Sequence, residues 1–290
     1  MRYRVNHVTT YRYARPVDLG RHMLHLTPRA LAWQRVVSCR LTANPPPTRR
    51  DDGLDHFGNV VTWMALEMPH DRFVLDLESV VEVACPPPPL AATTWPWEQV
   101  VGAAHAGGMA GWEAAEFAYA SPLAPADAAV GAYAAQSFPP GRPVLAGLLD
   151  FMGRIRREFA FKPGVTTIST PVSRVLAQKA GVCQDFTHLM LAGLRALGLP
   201  ARYVSGYLRT RPPPGTTPRQ GADQSHAWVG AWMGPAHGWV DLDPTNNLVV
   251  HDEHVVLAWG RDYSDISPVR GIILGGGSHT LTVGVDLAPV

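Results

Sequence analysis

Cys183, His226 and the aspartate pair Asp241 and Asp243 are the residue types that acyl transfer through a thiol requires, in a usable order. Such chemistry needs a thiolate, a base that shuttles a proton, and a third group that holds the imidazole in one tautomer. Cys183 opens a stretch in which Phe186, Leu189, Met190, Gly193, Leu194 and Leu197 recur at three- and four-residue steps. That is the stripe of a buried amphipathic helix, with Gly181 ending the helix before it and Gly198 and Pro200 closing it. A thiol in its first turn lies among unpaired backbone N–H groups at the positive end of the dipole, and both favour thiolate over thiol. His226 precedes Ala227-Trp228-Val229 in a strand-like run, and the two aspartates lie in the next run. Antiparallel neighbours are about 5 Å apart, so a base on one strand meets a carboxylate on the next. Alternation puts Asp241 and Asp243 on one face and does not choose between them. The Cys183 N–H is the natural oxyanion donor, and Gln184, Asp185 and Asp241 are further candidates for oxyanion or substrate contact.

Other polar residues carry weaker signals. His188 lies five residues along the helix from Cys183, so it points away and reads as a core histidine. His251-Asp252-Glu253-His254 has no periodic context and reads as a solvated turn. Two rival classes remain: a metal hydrolase using His226, Asp241 and Asp243 with His251 or His254, and an inactive scaffold that binds a partner. No alternating acidic run resembles a calcium loop, so no metal and no cofactor is expected. Trp228, Trp232 and Trp239 read as core.

The elements that must position these groups change character along the chain. Residues 1 to 85 alternate as strands near 3–11, 21–27, 35–42, 59–67 and 72–84, with turn clusters such as Asp51-Asp52-Gly53 between them. Pro86 to Pro89 is a stiff extended linker. Helices follow near 94–109, 125–135 and 143–159, and another opens at Thr170-Pro171 as cap and first residue. Strands return at 201–208, 225–233, 237–243 and 280–285, and the proline-rich loop 211–223 leads into His226 and borders the cleft.

A chain of 290 residues with 46% apolar and 17% charged residues is globular, and a formal charge of +1 gives no electrostatic case for nucleic acid. No apolar run spans a membrane and the first ten residues are polar, so a cytoplasmic address without membrane contact is expected. Cys39 and Cys85 fall on the apolar phase of strands and are expected as buried small hydrophobes, not a disulfide. The lone histidines His7, His22, His25 and His56 are expected in the core or on the surface.

The stretches GVCQDFTHLMLAGLRALGLPARYVSGYL, SHAWVGAW and GWVDLDPTNN, with the upstream Phe159-x-Phe161-x-Pro163-Gly164, resemble the core motifs of the bacterial transglutaminase-like family. HVTTYRYARPV, HLTPR and DHFGN resemble the N-terminal domain that accompanies that core. The resemblance covers most of residues 1 to 250. It implies an α+β chain: a β-sandwich-like N-terminal domain, then a papain-like cysteine-protease core with helices packed on an antiparallel sheet. The expected division is a β-rich domain over 1–90, a helical connection over 91–150, the catalytic core over 151–250 and a β extension over 251–290. The family's triad falls on Cys183, His226 and Asp243, since the GWxxxD spacing selects Asp243 over Asp241. Gln184 stands where animal transglutaminases carry tryptophan, and their calcium sites have no counterpart here. The implied activity is hydrolysis or transamidation of amide or isopeptide bonds in a peptide or protein substrate.

Overall fold

Alternation of buried Tyr3, Val5, His7 and Thr9 with more exposed neighbours builds the first strand of a computed structural model that describes residues 1–106, 111–210 and 224–290. The loop expected over 211–223 lies outside the described residues. In chain order come β1 (Arg2–Leu24), β2 (Gln34–Asn44), β3 (Arg49–Leu54), β4 (Val60–Leu66) and β5 (His70–Val83). Next are α1 (Trp97–His105), α2 (Trp112–Ala115), α3 (Ala128–Ala135) and α4 (Val144–Glu158). The short strands β6 (Ala160–Phe161) and β7 (Ala180–Gly181) flank α5 (Val172–Gln178) and lead to α6 (Cys183–Ala196). The chain ends with β8 (Ala201–Leu208), β9 (Gln224–Trp232), β10 (Trp239–Asp243), β11 (Leu248–Val249), β12 (His254–Gly260), β13 (Val269–Gly275) and β14 (His279–Pro289).

The result is an α+β architecture with a curled antiparallel N-terminal sheet of order β2-β5-β1-β4-β3. Its spine is β1, which the expected strands 3–11 and 21–27 divide in two. The structure joins them through a register shift between Arg12 and Val17, around Pro16, which has no N–H to give the ladder. The first half of β1 lies between β5 and β14, and the second between β4 and β13. The sequence reading missed β3 because an exposed edge strand needs no apolar alternation; its Arg49–Asp51 and Arg50–Asp52 pairs run along the strand. Residues 251–290 serve both sheets, since β12 enters the core sheet while β13 and β14 return to β1.

The core sheet has the order β11-β10-β9-β8-β12. On one side Ala227, Val229, Val240 and Leu242 pack with Phe151, Met190 and Leu194 of the helices. On the other, Tyr207, Val255 and Leu257 pack with Tyr3, Val5, Val285 and Leu287 of the N-terminal sheet. The β8 strand is therefore covered on both faces. The linker at Pro86 to Pro89 has no regular structure, as expected. Asp127 caps α3 by accepting from Val130 N at 2.9 Å. The α5 helix starts one residue late, with Pro171 at its cap, because Thr170 Oγ1 is engaged by Thr167 N at 2.9 Å. It ends at left-handed Lys179 and not at Gly181.

Cys39 corrects the expectation for the strand cysteines. It shares the inward phase with Leu41, but β2 is an edge strand left uncovered there, and Cys39 is exposed while Cys85 is half-buried. His7 bridges Tyr207 and Thr9, His22 stacks on Phe73, His25 pairs with Asp55 and His56 with Glu116, so these four are structural.

Gly206 on β8 faces His226 across the ladder, and a Cβ there would overlap the Val255 carbonyl and the Trp228 ring. Gly206→Ala should cost about 1–3 kcal/mol by overpacking. Gly102 on α1 has nothing within 4 Å of that position, and Gly102→Ala should stabilise by up to about 1 kcal/mol. Thermal melting of the two variants checks the pair.

Candidate active site

Asp185 sets where α6 begins. Its Oδ2 accepts the Val182 N–H at 2.7 Å and the Thr166 hydroxyl at 2.6 Å, half of a capping box. Gly181 is required beside it, since a Cβ would come within 2.7 Å of Asp185 Oδ2. Asp185 is consequently buried in the helix cap and is not among the described residues that line the cleft beside Cys183. Cys183 becomes the first residue of α6, its N–H outside the helical ladder. An open cleft of about 440 Å³ lies beside it, lined also by His226, Thr245 and Asn246. Gln184 is half-buried and does not line that cleft.

His226 and Asp243 meet as the strand geometry requires. Val240 and Leu242 face the helices, which leaves Asp241 and Asp243 on the side of His226 and Trp228. His226 Nε2 lies 2.8 Å from Asp243 Oδ2, which leaves Nδ1 as the ring nitrogen available to the Cys183 thiol in the cleft that both residues line. Burial alone would lower the ring's pKa. The hydrogen bonds to Asp243 and Cys183, with their charges, overcome it and lift His226 to about 10. Asp241 is occupied elsewhere: its Oδ2 accepts Trp228 Nε1 at 3.0 Å and its Oδ1 lies 3.8 Å from Arg202 Nη2.

Asp243 is fully buried yet ionised. Burial pushes its pKa up, but hydrogen bonds from His226, His254 and Asn246 and the charge of His226 hold it well below the usual carboxylate range. Thr245 N and Asn246 N donate to Oδ1 at 2.9 and 3.1 Å, and Asn246 Nδ2 donates to Oδ2 at 2.7 Å.

Two of these partners escaped the sequence reading. Asn246 was visible as a turn residue three places beyond the aspartate, where side chain and backbone close on each other. His254 was assigned to a solvated turn, and that is corrected: His251 is exposed, but His254 is fully buried at the start of β12, 3.5 Å from Asp243 Oδ2. The apolar run Val255-Val256-Leu257 behind it was the available signal for a buried strand. Burial holds the His254 pKa down despite Asp243, so its proton sits on the Nε2 that faces the carboxylate, and its buried Nδ1 has no partner among the described residues. His188 is a core histidine as expected, accepting Tyr263 N at 3.3 Å and pushed down to about 4 by burial. Trp228 and Trp232 are buried, and Trp239 packs against the core that holds Trp232.

His226, Asp243 and His254 place their donor atoms within 4.8 Å of one another, the residues that could hold a cation. Asp243 Oδ2, however, already accepts the Asn246 amide at 2.7 Å. An ion at that oxygen would face the positive ends of N–H dipoles, so the arrangement fits a hydrogen-bonded carboxylate and not a ligand set.

The profile of the transglutaminase-like superfamily matches residues 136–244, and that of the bacterial transglutaminase-like N-terminal region matches residues 3–82. An uncharacterized protein of Mycobacterium tuberculosis is 42% identical over 99% of this chain and 93% of its own length. A protein-glutamine gamma-glutamyltransferase of Pseudomonas aeruginosa is 29% identical over 44% of this chain and 20% of its own. A crystal structure of a candidate cysteine protease from Cytophaga hutchinsonii shares the fold, with a TM-score of 0.77 at 20% identity, covering 99% of this chain and 90% of that one. Thiol-dependent acyl transfer is the general chemistry these matches support.

The pKa directions define a stability window. The raised His226 contributes fully below its ordinary 6.5 and loses that contribution as pH rises through about 10. The lowered Asp243 contributes above its ordinary 3.8 and loses it on acidification. His254→Leu removes a donor to Asp243, so the acid limb of a melting-temperature profile should move to higher pH, and His254→Gln should move it back. Superimposable acid limbs for all three proteins would contradict the assignment.

Proposed function

Because the chain belongs to the transglutaminase-like superfamily, with the bacterial N-terminal region ahead of its core, we propose that it is an enzyme that transfers acyl groups through Cys183, as a cysteine peptidase or amidase or as a transamidase. The observation that carries this reading is the pairing of His226 with buried Asp243 at 2.8 Å in the cleft that Cys183 also lines. The substrate is a peptide or protein amide or isopeptide. The Cys183 thiolate attacks the carbonyl carbon, and the carbonyl π electrons move onto oxygen, where the Cys183 N–H can donate. As the tetrahedral species collapses, the C–N bond breaks and protonated His226 gives its Nδ1 proton to the leaving amine. A thioester and a neutral imidazole result. His226 then takes a proton from water or an incoming amine, which attacks the thioester and releases the thiolate. Asp243 keeps the ring in the tautomer that presents Nδ1 to the sulfur throughout. No cofactor enters these steps. Three free cysteines accord with a reducing, cytoplasmic setting, which is part of the proposal.

Alkylation tests the nucleophile without a known substrate. A protonated His226 faces Cys183, whereas burial raises the thiol pKa of half-buried Cys85 to about 11, and the strand atoms packed around the sulfur raise that of Cys39 although the residue as a whole is exposed. Iodoacetamide at about pH 6, well below the free thiol value of ~8.5, should modify Cys183 ahead of both. His226→Ala should slow that reaction sharply at pH 6 and less at about pH 9, where a thiol ionises unaided. Equal rates at the three cysteines would favour an inactive scaffold. In turnover of a peptide-amide panel, Asp243→Ala should lose at least about 100-fold and Asp241→Ala less, with EDTA without effect. Sensitivity to EDTA would favour the metal hydrolase.

A further inference from the structure

The walls of the cleft carry a charge that the acyl-transfer steps leave unused. Phe159, Phe161, Phe186 and Leu208 give it apolar sides, and Arg156 also lines it. Arg156 is exposed in the last turn of α4 and has no ion-pair or hydrogen-bond partner among the described residues. Arg154, on the same helix, is by contrast held by Glu158 and by the Tyr133 carbonyl. Among the described residues no aspartate or glutamate lines the cleft. Asp243 and Asp185 lie close in sequence to its residues, but both are buried and already taken up by their own donors. A Cys183 thiolate and a His226 imidazolium cancel as a pair, so among the described lining residues Arg156 is the charge that remains to face a substrate. A basic residue at a helix C-terminus also interacts with the dipole, but Arg157 sits in the same turn, and that role does not require a place in the cleft wall.

We propose that Arg156 makes this cleft selective for acyl donors that carry a carboxylate beside an apolar group, that is, acidic peptide segments. The guanidinium pairs with the carboxylate, and the phenylalanines take the apolar part. The inference rests on Cys183 as the nucleophile, since the selected group must be one that the thiolate can reach.

Two small alkylating agents that differ in charge test it directly. The rate at which iodoacetate modifies Cys183, divided by the rate for iodoacetamide, is measured by peptide mapping in the intact protein at neutral pH and low salt. Arg156→Gln should lower this ratio about 2- to 5-fold, the range for an exposed charge pair, and Arg156→Glu should lower it further, with melting temperatures unchanged. About 1 M salt, where the screening length is ~3 Å, should erase the difference. With peptide amides, a glutamate-for-glutamine change near the scissile bond should lower KM for the native enzyme but not for Arg156→Gln, with kcat retained. An unchanged ratio in Arg156→Glu overturns the inference and leaves the nucleophile standing. If Cys183 reacts no faster than Cys39 and Cys85, the nucleophile reading falls, and the ratio still reports whether Arg156 acts on that cleft.

Discussion

A carboxylate shut away from water stays charged only if the protein replaces the hydrogen bonds that water supplied, and Asp243 is the residue on which that requirement falls. It is met by the backbone N–H groups of Thr245 and Asn246, the Asn246 amide, and the rings of His226 and His254. Three constraints on the chain bring these donors together. Pro244 ends β10 immediately after the aspartate, so the next two N–H groups are free of the ladder and can turn back onto Oδ1. β9 brings His226 and β12 brings His254, and these strands lie on opposite sides of β8 in the sheet. Removing any one element would leave a buried charge short of partners, so sheet order and site electrostatics are one problem.

The same sheet must be held from behind. His7 Nδ1 lies 2.6 Å from Tyr207 Oη, one residue along β8 from the glycine that faces His226. Around it, Tyr3, Val5, Val81 and Val285 close over Tyr207, Val255 and Leu257. The N-terminal sheet thereby backs the strands that carry His226 and Asp243. That β13 and β14 finish this sheet, long after the core has been laid down, ties both ends of the chain to one scaffold.

How much of this was legible depended on whether a residue's role was local. Cys183 and the Phe186-to-Leu197 stripe declare a helix within one stretch, and His226 and Asp243 declare themselves through adjacent strands. Asp243 was separated from Asp241 by motif spacing alone, because alternation treats both alike. The structure gives the physical reason: Asp241 is taken by Trp228 and Arg202. His254 was missed because its partner is eleven residues away through a strand crossing that no periodicity encodes. Cys39 was misplaced for a related reason, since phase along a strand says which face a side chain takes but not whether that face is covered. Likewise, β3 was invisible because an edge strand satisfied by Arg–Asp pairs has no apolar signature.

At the centre of the account is an imidazolium at His226, kept charged by Asp243 on one nitrogen and Cys183 on the other. Nitrogen-15 NMR of the histidine rings, with His226 identified by its loss in His226→Gln, reads that state directly. The account predicts both ring nitrogens protonated across neutral pH, with titration only near 10. A His226 ring that titrates near 6.5, as an isolated histidine does, would contradict it.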